Sequence, residues 1–195
     1  MNKLLAFTNC TESKAKAIAS AKQHVELDML RQGTYGDDKG HGCSIGCHYG
    51  GNNHAAAPAK HGFSIPFVYL CDRIFEAQPD IKSAQEFHVW VMENVPEGGD
   101  TMWIWWEFFA LTVEGIGPEW NDFAAECRTY DPDIERLCAL SLSIPIPISL
   151  SLSFDRVRDT DLARDCALSL ALHLSRDRAL DTENFKKAVL KFANT

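Results

Sequence analysis

The sequence predicts a mainly α fold, a single-domain helical bundle of about seven or eight helices spanning residues 1–195, and three observations carry that expectation. Apolar residues recur at helical spacing in one segment after another, several of them opened by a capping residue or a first-turn proline. Period-two alternation, the signature of an extended chain with one buried face, is confined to residues 140–154. A chain of 195 residues with 46% hydrophobic and 24% charged content suits a globular core rather than disorder.

Thr11 is placed to cap a helix running to about Leu30, with Ile18, Ala21, Val25 and Met29 as its apolar stripe. Periodicity then stops over residues 32–63, a glycine-rich loop too long to be featureless in a compact domain unless it is functional. Helical order resumes at Ser64, where Pro66 fits the first turn, Phe67, Leu70, Cys71 and Ile74 share a face, and Pro79 ends the segment. Asp80 caps the next helix, with Ala84, Phe87, Trp90 and Val91 turned inward, and "VPEGGD" closes it. Asp100 or Thr101 opens "MWIWWEFFALTV", which is apolar on every face and so predicts a central helix ended by "GIGP". Shorter helices follow at Glu119 to Cys127 and from Asp131, and two more at about 160–174 and 182–193, the last with Phe185, Val189 and Phe192 inward. Between them "LSLSIPIPISLSLSF" alternates Leu, Ile or Phe with Ser or Pro, which predicts an extended apolar strap. Pro145 and Pro147 keep it bent or at an edge, because neither can donate to a ladder.

Charge and cysteine usage narrow the function classes. A formal net charge of −8 argues against broad attraction to nucleic acid or to anionic lipid. The N-terminal residues carry no apolar run of export-signal length, and the aromatic segment contains Glu107 and is shorter than a membrane span, so the expectation is a cytoplasmic protein without a membrane. Seven scattered cysteines do not form the pattern of a small secreted disulfide scaffold, which points to free thiols in a reducing compartment.

The chemistry concentrates in "GHGCSIGCHYGG" and the "NNH" after it, residues 40–54. His41, Cys43, Cys47 and His54 form a candidate zinc set, because zinc takes four Cys or His ligands, whereas the adjacent Cys47 and His48 point apart and compete for direction. A thiol site is the second candidate. If "CSIGCHY" is a short helix, Cys43 lies at its start, where unpaired amides lower a thiol pKa, and His41 or His48 is its base. Cys47 is then one turn on, at about 5–6 Å between Cβ atoms, too far for an unstrained disulfide. A third reading is a cradle of backbone amides for an anion or nucleotide-like ligand, with Gly42, Gly46, Cys47, Gly50 and Gly51 as binding residues, although neither the dinucleotide nor the Walker glycine spacing is present. A fourth is a compact structural plug whose Cys and His are simply packed. Outside the loop, Glu107 is a candidate acid or base by its apolar surroundings, and Asp159, Asp161 and Asp165 read as caps and surface rather than a calcium loop.

Three motifs, Gly42-Cys43-x-x-Gly46-Cys47, Asp72 to Glu76 ("DRIFE") and Pro96-x-Gly98-x-Asp100, resemble those of a group of small bacterial and phage proteins. The resemblance covers about the first half of the chain and implies that the loop and the next two helices form one unit. It implies no activity. Two functional expectations follow. The first is a protein that binds a small molecule, or works through a thiol with zinc as a possible cofactor, on residues 36–54. The second is an acidic helical interaction or inhibitor protein of phage or mobile-element origin that masks a basic protein surface.

Overall fold

The computed structural model describes residues 4–115, 117–129 and 178–193, and these are mainly helical. Seven α-helices lie among the described residues: α1 (Thr11–Glu26), α2 (Ala57–His61), α3 (Ile65–Ala77), α4 (Ile81–Asn94), α5 (Thr101–Glu114), α6 (Asn121–Cys127) and α7 (Arg178–Ala193). No strand occurs among them, only an isolated parallel bridge between Leu30 and Gly42. The expected strap at 140–154, the helices from Asp131 and at about 160–174, and the aspartates 159, 161 and 165 lie outside the described residues. No helix among the described residues is long and apolar enough to cross a membrane.

The chain divides into two compact units, Met1–Met102 with Val189–Thr195 and Trp103–Ala188. In the first, α1 and α3 both pack on α4. The Asp80 side chain accepts from the Ser83 amide at 2.8 Å and so fixes the start of α4. Helix α1 ends at Glu26, four residues short of expectation, because Asp28 turns into the left-handed region at φ 50° and sends the chain back toward Gly42. Its buried stripe is Ala17, Ala21 and His24, about a third of a turn from the predicted Ile18 and Val25, which are only half-buried. Ahead of α1, Phe7, Thr8 and Asn9 all take φ near 55°. Three successive left-handed residues are held by Ala6, whose amide and carbonyl pair with Gly99 and Gly98 at 2.9 and 3.0 Å, and by the wholly buried Phe7 ring packed on Phe63.

The second unit is built on aromatic rings. Trp105 stacks parallel to Phe109 at 5.9 Å, Phe109 meets Phe123 at 5.4 Å, Trp120 meets Phe123 at 5.7 Å, and Phe108 meets Phe185 of α7 at 6.5 Å. The expectation that the aromatic segment is buried all round holds for Trp105, Phe108 and Phe109, each fully enclosed.

The glycine-rich segment is ordered by close approach. A Cβ on Gly46 would lie 1.9 Å from the Tyr35 carbonyl oxygen, and one on Gly42 would lie 2.8 Å from the same atom. These two glycines let the strand of chain at Tyr35 pack flat on the turn that carries Cys43 and His48. Residues 44–50 form a short helical segment that widens into a π turn over Gly46–Gly50, and Gly50 and Gly51 leave it at φ 77° and 64°. Gly46→Ala is therefore expected to cost about 2–3 kcal/mol or more, the range of core overpacking. Gly50→Ala, which meets nothing within 4 Å, should cost only the left-handed penalty of about 1–2 kcal/mol. Urea unfolding of the two variants checks the ranking, and equal losses would remove Tyr35 as the cause.

Candidate functional site

Two clusters of chemically competent side chains lie inside the first unit, and residues 36–54 contribute to both. The first is a group of buried imidazoles. His24 comes from α1, His48 from the π turn and His88 from α4, and one ring nitrogen of each lies within 4.8 Å of the others. The ring centroids are 5.0 Å apart for His24 and His48, 4.7 Å for His48 and His88, and 5.8 Å for His24 and His88. His61 of α2 extends the group, 5.3 Å from His48, with its Nδ1 held at 2.8 Å by the Tyr49 hydroxyl.

Each of the three rings has a nitrogen buried without a hydrogen-bond partner: Nδ1 of His24, Nε2 of His48 and Nε2 of His88. For two of them the opposite nitrogen is occupied, His24 Nε2 by Ser20 Oγ at 3.5 Å and His88 Nδ1 by Ser44 Oγ at 3.1 Å. The serines thus orient the rings and leave one specified nitrogen on each free. Burial depresses the pKa of all four histidines, to about 4 for His61, about 3 for His88 and well below the ordinary value for His48, whose histidine neighbours add to the effect. They are neutral imidazoles at neutral pH, the form that ligates metals. A small cavity adjoins the group, lined by Ser44, His48, Tyr49, Phe63, Cys71 and His88 among others, with room for about one water.

The second cluster centres on Asp72 of α3. The Cys43 sulfur and carboxylate oxygens of Asp72 and Glu76 lie within 4.8 Å of one another. The Tyr35 hydroxyl donates to Asp72 Oδ2 at 3.3 Å, and the Gly33 amide donates to Glu76 Oε2 at 2.7 Å. His54 Nε2 is 3.4 Å from the same Asp72 oxygen, and its ring stacks on Tyr69 at 4.0 Å.

The predicted site residues are therefore distributed rather than assembled as one set. No three of His41, Cys43, Cys47 and His54 bring ligand atoms within 4.8 Å of one another. Cys43 and His54 both lie around Asp72. His41 is half-buried on the loop with Nδ1 bonded to Asp37 at 2.8 Å, and the Cys47 thiol donates to the Gly42 and Met29 carbonyls at 3.5 and 3.7 Å. Cys43 directly precedes the short helical segment, as expected, but burial and the nearby Asp72 push its thiol up to about 12 rather than down. Gly42 and Gly46 accommodate the Tyr35 carbonyl, and Gly50 and Gly51 supply positive φ. Glu107 sits in the other unit, where Arg128 Nε bonds both of its oxygens at 3.1 Å, so the apolar surroundings hold an ion pair. His24, His88, Asp72 and Glu76 were not singled out as ligands, although His24 falls three residues after Ala21 and His88 four after Ala84, on the inward faces of their helices.

The depressed histidine values set a pH window. An unfolded histidine titrates near pH 6.5, so below that the unfolded chain binds protons that the folded chain refuses, and stability falls as pH drops toward about 4. His61 and His88 contribute to the loss across the whole of that window, and His48 and His24 add to it in the same direction. The urea midpoint of chelator-treated protein should fall steeply from pH 6.5 to 5, and His61→Gln should flatten the slope. A midpoint level across that range would contradict neutral burial.

No protein-family model, curated protein or solved structure matches the chain.

Proposed function

We propose that the protein holds one divalent transition metal, zinc by preference, on His24, His48 and His88, and binds a small ligand at the metal's remaining position. The observation that carries this reading is the convergence of three buried imidazoles, each with a partnerless nitrogen. Leaving a buried acceptor unsatisfied costs about 1–3 kcal/mol, and three side by side are more than packing alone accounts for. A single cation shared by the three rings would satisfy them. Neutral imidazoles suit zinc, copper, iron and nickel, and three protein ligands with one open position is the arrangement of a reactive zinc rather than of a closed structural one.

The neighbouring space supports the same reading. His48 and His88 line the water-sized cavity, so a fourth ligand has a place beside the metal. A zinc ion held by these three histidines would supply Lewis-acid chemistry, lowering the pKa of a water in that position. The rest of the lining is largely apolar, which favours a small uncharged ligand. Ser20 and Ser44 are the orienting partners, and the Lys60 ammonium, bonded to the His48 carbonyl, fixes the backbone of the third ligand. This replaces the thiolate expectation with a site in which the loop supplies His48 and not a nucleophilic Cys43.

Zinc or cobalt titration of metal-free protein, followed by calorimetry and cobalt absorption, is the test. Wild type should bind with a tetrahedral cobalt spectrum, His48→Gln and His88→Gln should abolish that component, and Ser44→Ala should weaken it about 10–100-fold by releasing the His88 ring. Unchanged affinity in both histidine variants would refute the assignment and leave the rings as neutral packing.

A further inference from the structure

We infer that the Asp72 cluster is a second, separate metal site, in which Cys43, His54, Asp72 and Glu76 hold a zinc-like divalent cation. It does not rest on the histidine group, with which it shares no side chain. Cys43, Asp72 and Glu76 bring ligand atoms within 4.8 Å of one another, and His54 Nε2 adjoins that group 3.4 Å from Asp72 Oδ2; Cys43 comes from ahead of the short helical segment, His54 from the end of the loop, and Asp72 and Glu76 from one helical turn of α3. A cysteine and two carboxylates alone would not make a site. His54 does, because it is 3% exposed, neither of its ring nitrogens makes a hydrogen bond, and Asp72 Oδ1 beside it is also buried without one.

The spacing of His54 and Asp72 suits two ligands of one ion. His54 Nε2 and Asp72 Oδ2 are 3.4 Å apart without making a hydrogen bond. Two zinc ligands with bonds of 2.0–2.1 Å at a tetrahedral angle lie about 3.3–3.4 Å apart, so this pair already spans one edge of the polyhedron. Tyr35 on Asp72 and the Gly33 amide on Glu76 hold the carboxylates in place, as outer partners of ligating groups do. Binding replaces the Cys43 S–H bond with a sulfur–metal bond, and the proton leaves to solvent. A thiolate, two carboxylates and an imidazole form a set that prefers zinc to magnesium or calcium, which take oxygen alone.

The thiolate separates the two sites experimentally. Reduced, metal-free protein titrated with cobalt should take up two ions per chain, and one of them should give a sulfur-to-cobalt charge-transfer band that the all-histidine site cannot produce. Cys43→Ser should lose that band, and Asp72→Asn should weaken the component that carries it by at least about tenfold. His48→Gln should keep the band while losing the other ion. Cys47→Ser, whose thiol bonds backbone carbonyls instead, should keep both. X-ray absorption of zinc-loaded wild type needs no variant: sulfur at about 2.3 Å supports the site, whereas a shell of nitrogen and oxygen alone overturns it. The absence of a charge-transfer band in wild type, or its persistence in Cys43→Ser, overturns it as well. Loss of the histidine component alone would count against the first site and leave this one standing.

Discussion

The contact on which the first unit depends is between one carbonyl and two missing side chains. The Tyr35 oxygen occupies the space that a Cβ on Gly42 or Gly46 would fill. That approach folds residues 32–43 flat against the turn that follows, and backbone bonds then lock it: Cys43 N to Thr34 O at 2.7 Å, Gly42 N to Met29 O at 3.0 Å and Arg31 N to Gly42 O at 2.8 Å. With the loop so seated, Cys43 faces the carboxylates of α3, and Ser44 and His48 face α1 and α4. Gly42 and Gly46 are thus a packing requirement of the loop, which lets Cys43, Ser44 and His48 reach the interior.

Burial of so many imidazoles is the opposing constraint. A neutral histidine packed away from water gives up hydration of two ring nitrogens and recovers only the bonds the interior offers. Here the interior offers two serines, one tyrosine and ring-on-ring contacts, and stops short of satisfying every nitrogen. Rings held neutral in this way offer their lone pairs to a cation without first losing a proton.

Much of the helical frame was legible because it rests on local rules. Asp80 caps α4 through Ser83, Pro66 lies in the first turn of α3, and the aromatic segment buries rings on several faces. The site was legible only in part, for a different reason. Hydropathy counts histidine as polar, so the sequence pattern points to Ile18 and Val25, whereas the buried stripe of α1 runs through Ala17, Ala21 and His24. His88, buried beside Phe87, is masked in the same way. Long-range pairing adds a second barrier: nothing within residues 36–54 says that Cys43 meets Asp72, 29 positions away, or that Ser44 meets His88, 44 positions away. The "DRIFE" motif did carry both carboxylates, one turn apart, but a solvated helix face has the same spacing.

Local geometry explains why the loop feeds two clusters and not one. In a helical turn, side chains four apart share a face and adjacent ones diverge by about 100°. Ser44 and His48 form one such pair, and both reach His88. Cys43 and Cys47 form the other, on a neighbouring face, joined by the Cys47 amide to the Cys43 carbonyl at 3.0 Å. Of these two only Cys43 meets carboxylates, because Cys47 spends its thiol on the Gly42 and Met29 carbonyls. The divergence of adjacent side chains, here Cys43 toward Asp72 and Ser44 toward His88, is thus what divides the loop between two clusters. A short turn wedged between α1, α3 and α4 cannot aim neighbouring side chains at one ion, but it can present one face to the imidazoles and the next to Asp72.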